Sequence, residues 1–332
     1  MPLVKVTDID RQQGIFTDDR HYGDFIRRIT KAPKLRYAAP GAIKKTSNYW
    51  LNSQVGQEML MTRKVPFCIV ICFLVIWPSS VLAETLLYDD FSGNIVSSSK
   101  WHIPTWVSPT DGTVVGHTQF RFTQNSSLPA VVDGNAIIAV ESYNPTAFSF
   151  YGTDLRSNQT YALGTGIHIT VRAKMNTTTP GIVGGIFLYA LKPGSTTYHD
   201  EIDFELLTNL PNGSQTNIYS NEKLGIGNVQ FVPYTSGSIT DYHTYEIKWQ
   251  PNQVSWLIDG NLVRIETSNV PNGPMNFHLN IWVPDPGWPA AYDSNLKAAT
   301  SASSNQIFSM SVDSVHIQSI TPPEKDLAHH PK

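Results

Sequence analysis

Tyr198-His199-Asp200-Glu201-Ile202-Asp203-Phe204-Glu205-Leu206-Leu207 is the stretch on which the reading of the 332-residue chain turns. Its polarity alternates strictly. Successive side chains of a β-strand point to opposite faces, so Glu201, Asp203 and Glu205 share one face and Ile202, Phe204 and Leu206 the other. The apolar face is that of a strand laid on a core. The acidic face is harder to account for, because like charges side by side destabilise a sheet. Either it is an outer, solvated face, where signs are usually mixed, or the three carboxylates do chemistry together.

Outward from this strand the chain keeps the same character. Ala136-Ile137-Ile138-Ala139-Val140, Ile167-His168-Ile169-Thr170-Val171, Tyr245-Glu246-Ile247-Lys248-Trp249 and Val254-Ser255-Trp256-Leu257-Ile258 are short β-type runs. Gln250-Pro251-Asn252-Gln253 separates the last two, and Asp259-Gly260, a strong hairpin pair, follows them. Gly and Pro, 22 of each, punctuate the chain, and no capped apolar-periodic helix exceeds two turns. Many strands without alternating helices predict one all-β domain, a sandwich of two antiparallel sheets, over residues 84–320. The polar tail 321–332 is expected to fray.

The N-terminal part differs. Residues 1–60 hold ten Lys+Arg against six Asp+Glu, whereas from Glu84 onward there are twelve against twenty-one. An acidic, aromatic-rich body repels phosphate backbones, which argues against nucleic acid as a partner. Thr62-Arg63-Lys64, the apolar run Val65–Trp77 and Val81-Leu82-Ala83 have the layout of a signal peptide, placed over residues 61–83 with cleavage before Glu84. Thirteen apolar residues are short of the roughly 20 a bilayer needs. Met59 or Met61 would start such a signal, so residues 1–60 are expected to lie outside the natural product. The alternative is a basic cytoplasmic tail with 65–83 as an uncleaved anchor, the one arrangement that makes a membrane a partner. Both cysteines, Cys68 and Cys72, fall in the apolar run, so the exported body would carry no disulfide. A secreted or periplasmic monomer is expected.

Paired carboxyl groups are the tools of glycoside hydrolysis. Retaining enzymes hold two of them about 5–5.5 Å apart, one as nucleophile and one as general acid/base. Strand positions i and i+4 are about 13 Å apart at Cα, a gap that a concave sheet and inward-leaning side chains narrow. A carboxylate between the two orients its neighbours and raises the pKa of the proton donor.

Glu201-Ile202-Asp203-Phe204-Glu205 resembles the signature of glycoside hydrolase family 16, and the likeness runs in order along roughly residues 87–320. Gln215-Thr216-Asn217-Ile218-Tyr219-Ser220-Asn221 is similar to the strand that follows the catalytic one in bacterial lichenases. His243–Pro251 with Trp256-Leu257-Ile258-Asp259-Gly260 is similar to the family's hairpin. Asn280-Ile281-Trp282 resembles a later strand, and Phe91 with Trp101 the N-terminal entry. The resemblance implies a concanavalin-like β-jelly-roll. It also implies a retaining endo-β-glucanase with Glu201 as nucleophile, Glu205 as acid/base and Asp203 as the assisting carboxylate. No cofactor is needed for that chemistry. The unbulged motif is that of lichenases and plant xyloglucan transglycosylases, and His199-Asp200 resembles the latter more closely. Mixed-linkage β-1,3-1,4-glucan is the first substrate expected, with transfer to a sugar acceptor as the alternative. A lectin-like binding sandwich is the rival from another class, and it predicts a damaged triad. Gly181–Phe187 departs from the family in having no Trp, which bears on sugar stacking.

Flat aromatic rings beside carboxylates suit the C–H faces of sugars. Of the six Trp after Glu84, Trp101, Trp106 and Trp282 are assigned to the cleft, Trp249 and Trp256 to the core. Asn217, Tyr219 and Asn221 share a face by alternation, suited to sugar hydroxyls or to a plain polar face. His243 either orients a catalytic group or is structural. Members of the family bind a structural Ca2+ through an Asp of the last strand and backbone carbonyls, and Asp313 resembles that Asp.

Overall fold

The computed structural model describes residues 83–103, 115–120, 129–195, 198–223 and 227–320. Residues 1–82 and 321–332, which hold the N-terminal extension, nearly all of the signal segment and the tail, lie outside them. Sixteen strands account for almost all regular structure among the described residues. The first six are β1 (Thr85–Asp89), β2 (Trp101–His102), β3 (Thr118–Phe120), β4 (Ala130–Val132), β5 (Asn135–Glu141) and β6 (Phe150–Tyr161). The middle of the chain forms β7 (Ile167–Met175), β8 (Val183–Leu191), β9 (His199–Leu207), β10 (Gly213–Glu222) and β11 (Gln230–Pro233). It closes with β12 (His243–Gln250), β13 (Gln253–Ile258), β14 (Asn261–Glu266), β15 (Met275–Trp282) and β16 (Ile307–Ser319). One 3₁₀ turn, Ala302–Ser304, is the single helical element described, and no described helix is long and apolar enough to cross a membrane.

The strands form two layers. One runs β11-β10-β9-β8-β15-β6, the other β5-β16-β7-β12-β13-β14. The twelve-residue β6 belongs to both, pairing with β15 along one stretch and meeting β5 through Glu141 opposite Tyr151. The neighbouring pairs along both layers are antiparallel, as expected for an all-β sandwich, and the parallel β3–β6 pair is a short addition. The hairpin read at Asp259-Gly260 is present. Ile258 faces Asn261, and both turn residues have positive φ, 52° and 76°, as a tight primed turn demands.

Alternation sorts each strand. Ile202, Phe204 and Leu206 of β9 join Ile186, Leu188, Ile218, Phe277 and Leu279 in the core between the layers. The facing sheet contributes Ile169, Val171, Ile247, Trp249, Val254 and Trp256. Trp249 and Trp256 are core residues, as the sequence suggests. Each carries an indole N–H into this apolar space and satisfies it on a carbonyl, Trp249 on Pro271 (2.8 Å) and Trp256 on Asp203 (2.9 Å). The Trp256 bond ties the second sheet to the backbone of the carboxylate strand at its central residue.

Candidate active site

With the odd-numbered face of β9, which carries the three carboxylates, turned away from the core, its pairing fixes what surrounds them. Glu201 lies opposite Tyr219 on one side and Tyr189 on the other, Asp203 between Asn217 and Phe187, Glu205 between Gln215 and Gly185. One strand further on, β15 places His278 beside Phe187 and Asn280 beside Gly185. The site is therefore a set of parallel rows crossing the sheet. A second apolar cluster, Val183, Phe187, Tyr189, Leu207, Trp282 and Trp288 among its members, walls these rows on the same face.

Glycine at 185 matters to the Glu205 row. A Cβ there would come within contact-forbidden distance of Asn280 Oδ1 and 3.3 Å from the Phe187 ring. The bare backbone lets Asn280 lean toward Glu205. Asn280 Oδ1 and Gln215 Oε1, on either side of Glu205, are buried without a hydrogen-bond partner among the described residues. Such acceptors are costly inside a protein unless something donates to them.

The three carboxyl groups are almost fully enclosed, at 0%, 1% and 3% exposure for Glu201, Asp203 and Glu205. Burial raises the Glu205 pKa well above its usual range, and the charges of Asp203 and Glu201 add to the effect. Asp203 is raised as well, chiefly by burial and then by Glu201; the Asn217 backbone N–H and the Arg264 charge oppose this. The face thus holds carboxyl groups that retain protons at pH values where ordinary side chains have lost them.

His199 extends the same face by one step and lies beside the first carboxylate, its Nε2 3.3 Å from Glu201 Oε2. Its ring stacks on Tyr189 (5.4 Å) and tilts against Tyr219 (4.5 Å). His278 stacks on Phe187 at 4.9 Å and bonds through Nδ1 to both oxygens of buried Asp154, at 3.2 and 3.1 Å. Sequence reasoning gave no site role to His199, Gln215, His278 or Asn280. Parity could have found them, since His199 continues 201-203-205, Gln215 continues 217-219, and His278 and Asn280 precede Trp282.

The other assigned residues separate. Asn217 and Tyr219 line the rows, and burial next to Glu201 and Asp203 drives the Tyr219 hydroxyl pKa upward. Trp282 is in the wall cluster, 5.8 Å from Trp288. Trp106 lies outside the described residues. Trp101 is placed differently from the expectation. It sits in the inter-sheet core, stacked on Phe91 at 6.1 Å and bonded through Nε1 to Asp89 Oδ2 at 2.7 Å. Asn221 also departs from it. The β9–β10 register shifts between Ser220 and Glu222, and Asn221 takes a positive φ of 55°. This bulge takes Asn221 out of the alternation, and its N–H donates to Asp200 Oδ1 at 2.8 Å. His243 bonds Asp259 (2.7 Å) and the Ser238 carbonyl (3.1 Å), away from the carboxylate rows, a structural pairing.

Asp313, the residue expected to hold Ca2+, lies on β16. It occupies the register shift between Val312 and Ser314, and its Oδ1 is 3.4 Å from Arg172 NH1. The Arg172 guanidinium is itself seated over the Tyr242 ring at 4.3 Å. Among the described residues no three His, Cys, Asp or Glu side chains cluster as metal ligands.

A two-layer sandwich with three buried carboxyl groups set along one face of a central strand is the class of protein that this geometry defines. The family model of glycosyl hydrolases family 16 matches residues 116–302, and the chain belongs to that family. It is 36% identical over 159 residues to a beta-glucanase of Bacillus subtilis, covering 48% of this chain and 61% of that protein. It is 28% identical over 229 residues to a beta-glucanase of Paenibacillus macerans, covering 67% and 87%. The Bacillus alignments span about three fifths of those relatives' length. Among solved structures, a prokaryotic beta-1,3-1,4-glucanase (lichenase) from a mouse hindgut metagenome superposes with a TM-score of 0.55 at 26% identity. That match covers 70% of this chain and 97% of the other.

Proposed function

We propose that the chain is a retaining endo-β-glucanase whose first substrate is mixed-linkage β-1,3-1,4-glucan. The observation that carries the proposal is the intact carboxylate face of β9, with Glu205 holding its proton beside the charge of Glu201. Relatives named beta-glucanase and a structural neighbour named lichenase support the choice of polymer. In the first step Glu201 attacks the anomeric carbon while Glu205 protonates the departing glycosidic oxygen. In the second, Glu205 takes a proton from water, which opens the glycosyl-enzyme ester with retention. Asp203, between them, keeps the Glu205 pKa high and orients its neighbours. Asn280 Oδ1 and Gln215 Oε1 accept from sugar hydroxyls.

His199-Asp200 favours a second reading, transfer of the glycosyl group to another glucan in place of water. The test is to incubate residues 84–332 and their Glu201→Gln variant with a panel of β-glucans, following reducing ends and product sizes. Cleavage by the native form that disappears in the variant supports the proposal. Larger products with few new reducing ends point to transfer. Binding without any change in the glucan supports a lectin-like protein and overturns both. Export is part of the same proposal, supported by the basic-apolar-small layout of residues 62–83. A secreted form beginning elsewhere than Glu84 would count against it.

A further inference from the structure

β11, the edge strand of the carboxylate sheet, has four residues, of which Val232 alone is buried. Val232 is in the inter-sheet core, so Phe231 and Pro233 project to the opposite face, the face of Glu201, Asp203 and Glu205. Phe231 stands in register with Gln215, which stands in register with Glu205. The residue is 42% exposed, a large aromatic side chain in solvent at the rim of the site. The ring is also held in a particular place. Gly213, the next residue of β10 on this face, would bring a Cβ to 2.5 Å from Phe231 Cζ, so the bare glycine backbone is what lets the ring lie over β10. Beside it, Gln215 Oε1 is buried with no partner among the described residues.

A ring laid over a glycine next to an orphaned amide oxygen has the two parts of a sugar subsite: an apolar plane for the C–H face and an acceptor for a hydroxyl. We propose that Phe231 is the stacking platform of an outer glucosyl subsite, two strand spacings from Glu205, about 10 Å along the row. This rests on the glucanase reading and deepens it. The platform grips a sugar remote from the broken bond, so it rewards substrates long enough to reach it and sets how many residues the cleft engages.

The experiment compares oligosaccharides of increasing length in the native protein and in Phe231→Ala, Phe231→Leu and Phe231→Trp. In the native protein kcat/KM rises when the substrate becomes long enough to reach the rim. In Phe231→Ala that rise shrinks roughly five- to tenfold, the factor to which about 1–1.4 kcal/mol of stacking corresponds. Phe231→Trp keeps the rise and Phe231→Leu loses it, because Leu restores bulk without a plane. An unchanged rise in Phe231→Ala, or its full restoration by Leu, overturns the proposal. Should the native protein cleave none of the panel, the glucanase reading fails by itself. The same length series is then read as binding affinity, where equal affinity of native and Phe231→Ala for every length overturns the platform.

Discussion

Replacing Glu205 by Gln is expected to abolish cleavage and, in the same molecule, to stabilise the fold. The carboxyl group is 3% exposed, and every influence resolved on it (burial, then Asp203, then Glu201) opposes ionisation. Each pH unit over which the folded state must hold a proton that the unfolded state has released costs about 1.4 kcal/mol, and Gln keeps the shape without that cost. A gain of about 2 kcal/mol raises the Tm of a domain of this size by roughly 4–8 °C. The pH dependence fixes the cause. With its folded pKa raised above the ordinary value of 4.5, Glu205 holds its proton more tightly in the folded state than in the unfolded. The native protein therefore loses stability as pH climbs from 4.5 through the folded pKa, and the variant is spared that part of the loss. Thermal melts of both proteins across the pH range should coincide in acid and diverge toward alkaline pH. A variant whose Tm is equal or lower at every pH would refute the assignment of Glu205 as a group kept protonated by burial.

Three further substitutions test the surroundings. Gly185→Ala drives a methyl group into Asn280 Oδ1 and should lower kcat/KM sharply at a stability cost of about 1–3 kcal/mol, measured by initial rates and a melt. His199→Asn should cut kcat more than it raises KM and should alter the kcat–pH profile, because the ring braces Glu201 between Tyr189 and Tyr219; an unchanged profile would reduce His199 to packing. Trp101→Phe loses the indole bond to buried Asp89 and should cost about 1.5–3 kcal/mol in denaturant unfolding while leaving the KM for glucan unmoved. A raised KM would return Trp101 to the cleft.

The period-two pattern of β9 carried most of what could be read from sequence. It gave the strand, its buried face and the side-by-side carboxylates, because alternation is a local property of extended backbone. The Asp259-Gly260 hairpin was legible for the same kind of reason, a positive φ demanded at neighbouring residues. What escaped depends on partners distant in sequence. Trp101 looks alike in a core and in a cleft until Asp89 and Phe277 are seen around it. Asn221 has the right parity, yet a bulge admits Asn at positive φ and cancels that parity. Arg172 reaches Asp313 only because β7 and β16 are adjacent, a pairing between segments far apart in the chain. His278 and Asn280 join the site through two strand pairings, neither of which has a local signature.

β6 belongs to both layers, and this sets how the molecule can move. A sandwich whose sheets touch only through side chains can slide or breathe along its apolar seam. Here one continuous backbone runs from the Tyr151 contact with β5 to the Tyr161 contact with Met275, so separating the layers means tearing a hydrogen-bonded ladder. Amide protons on both sheets should exchange as one cooperative unit. The span between the rows of the carboxylate sheet is then a property of the covalent chain, fixed before any polymer arrives. Accommodation of one ligand over another falls to rotamers and rim segments.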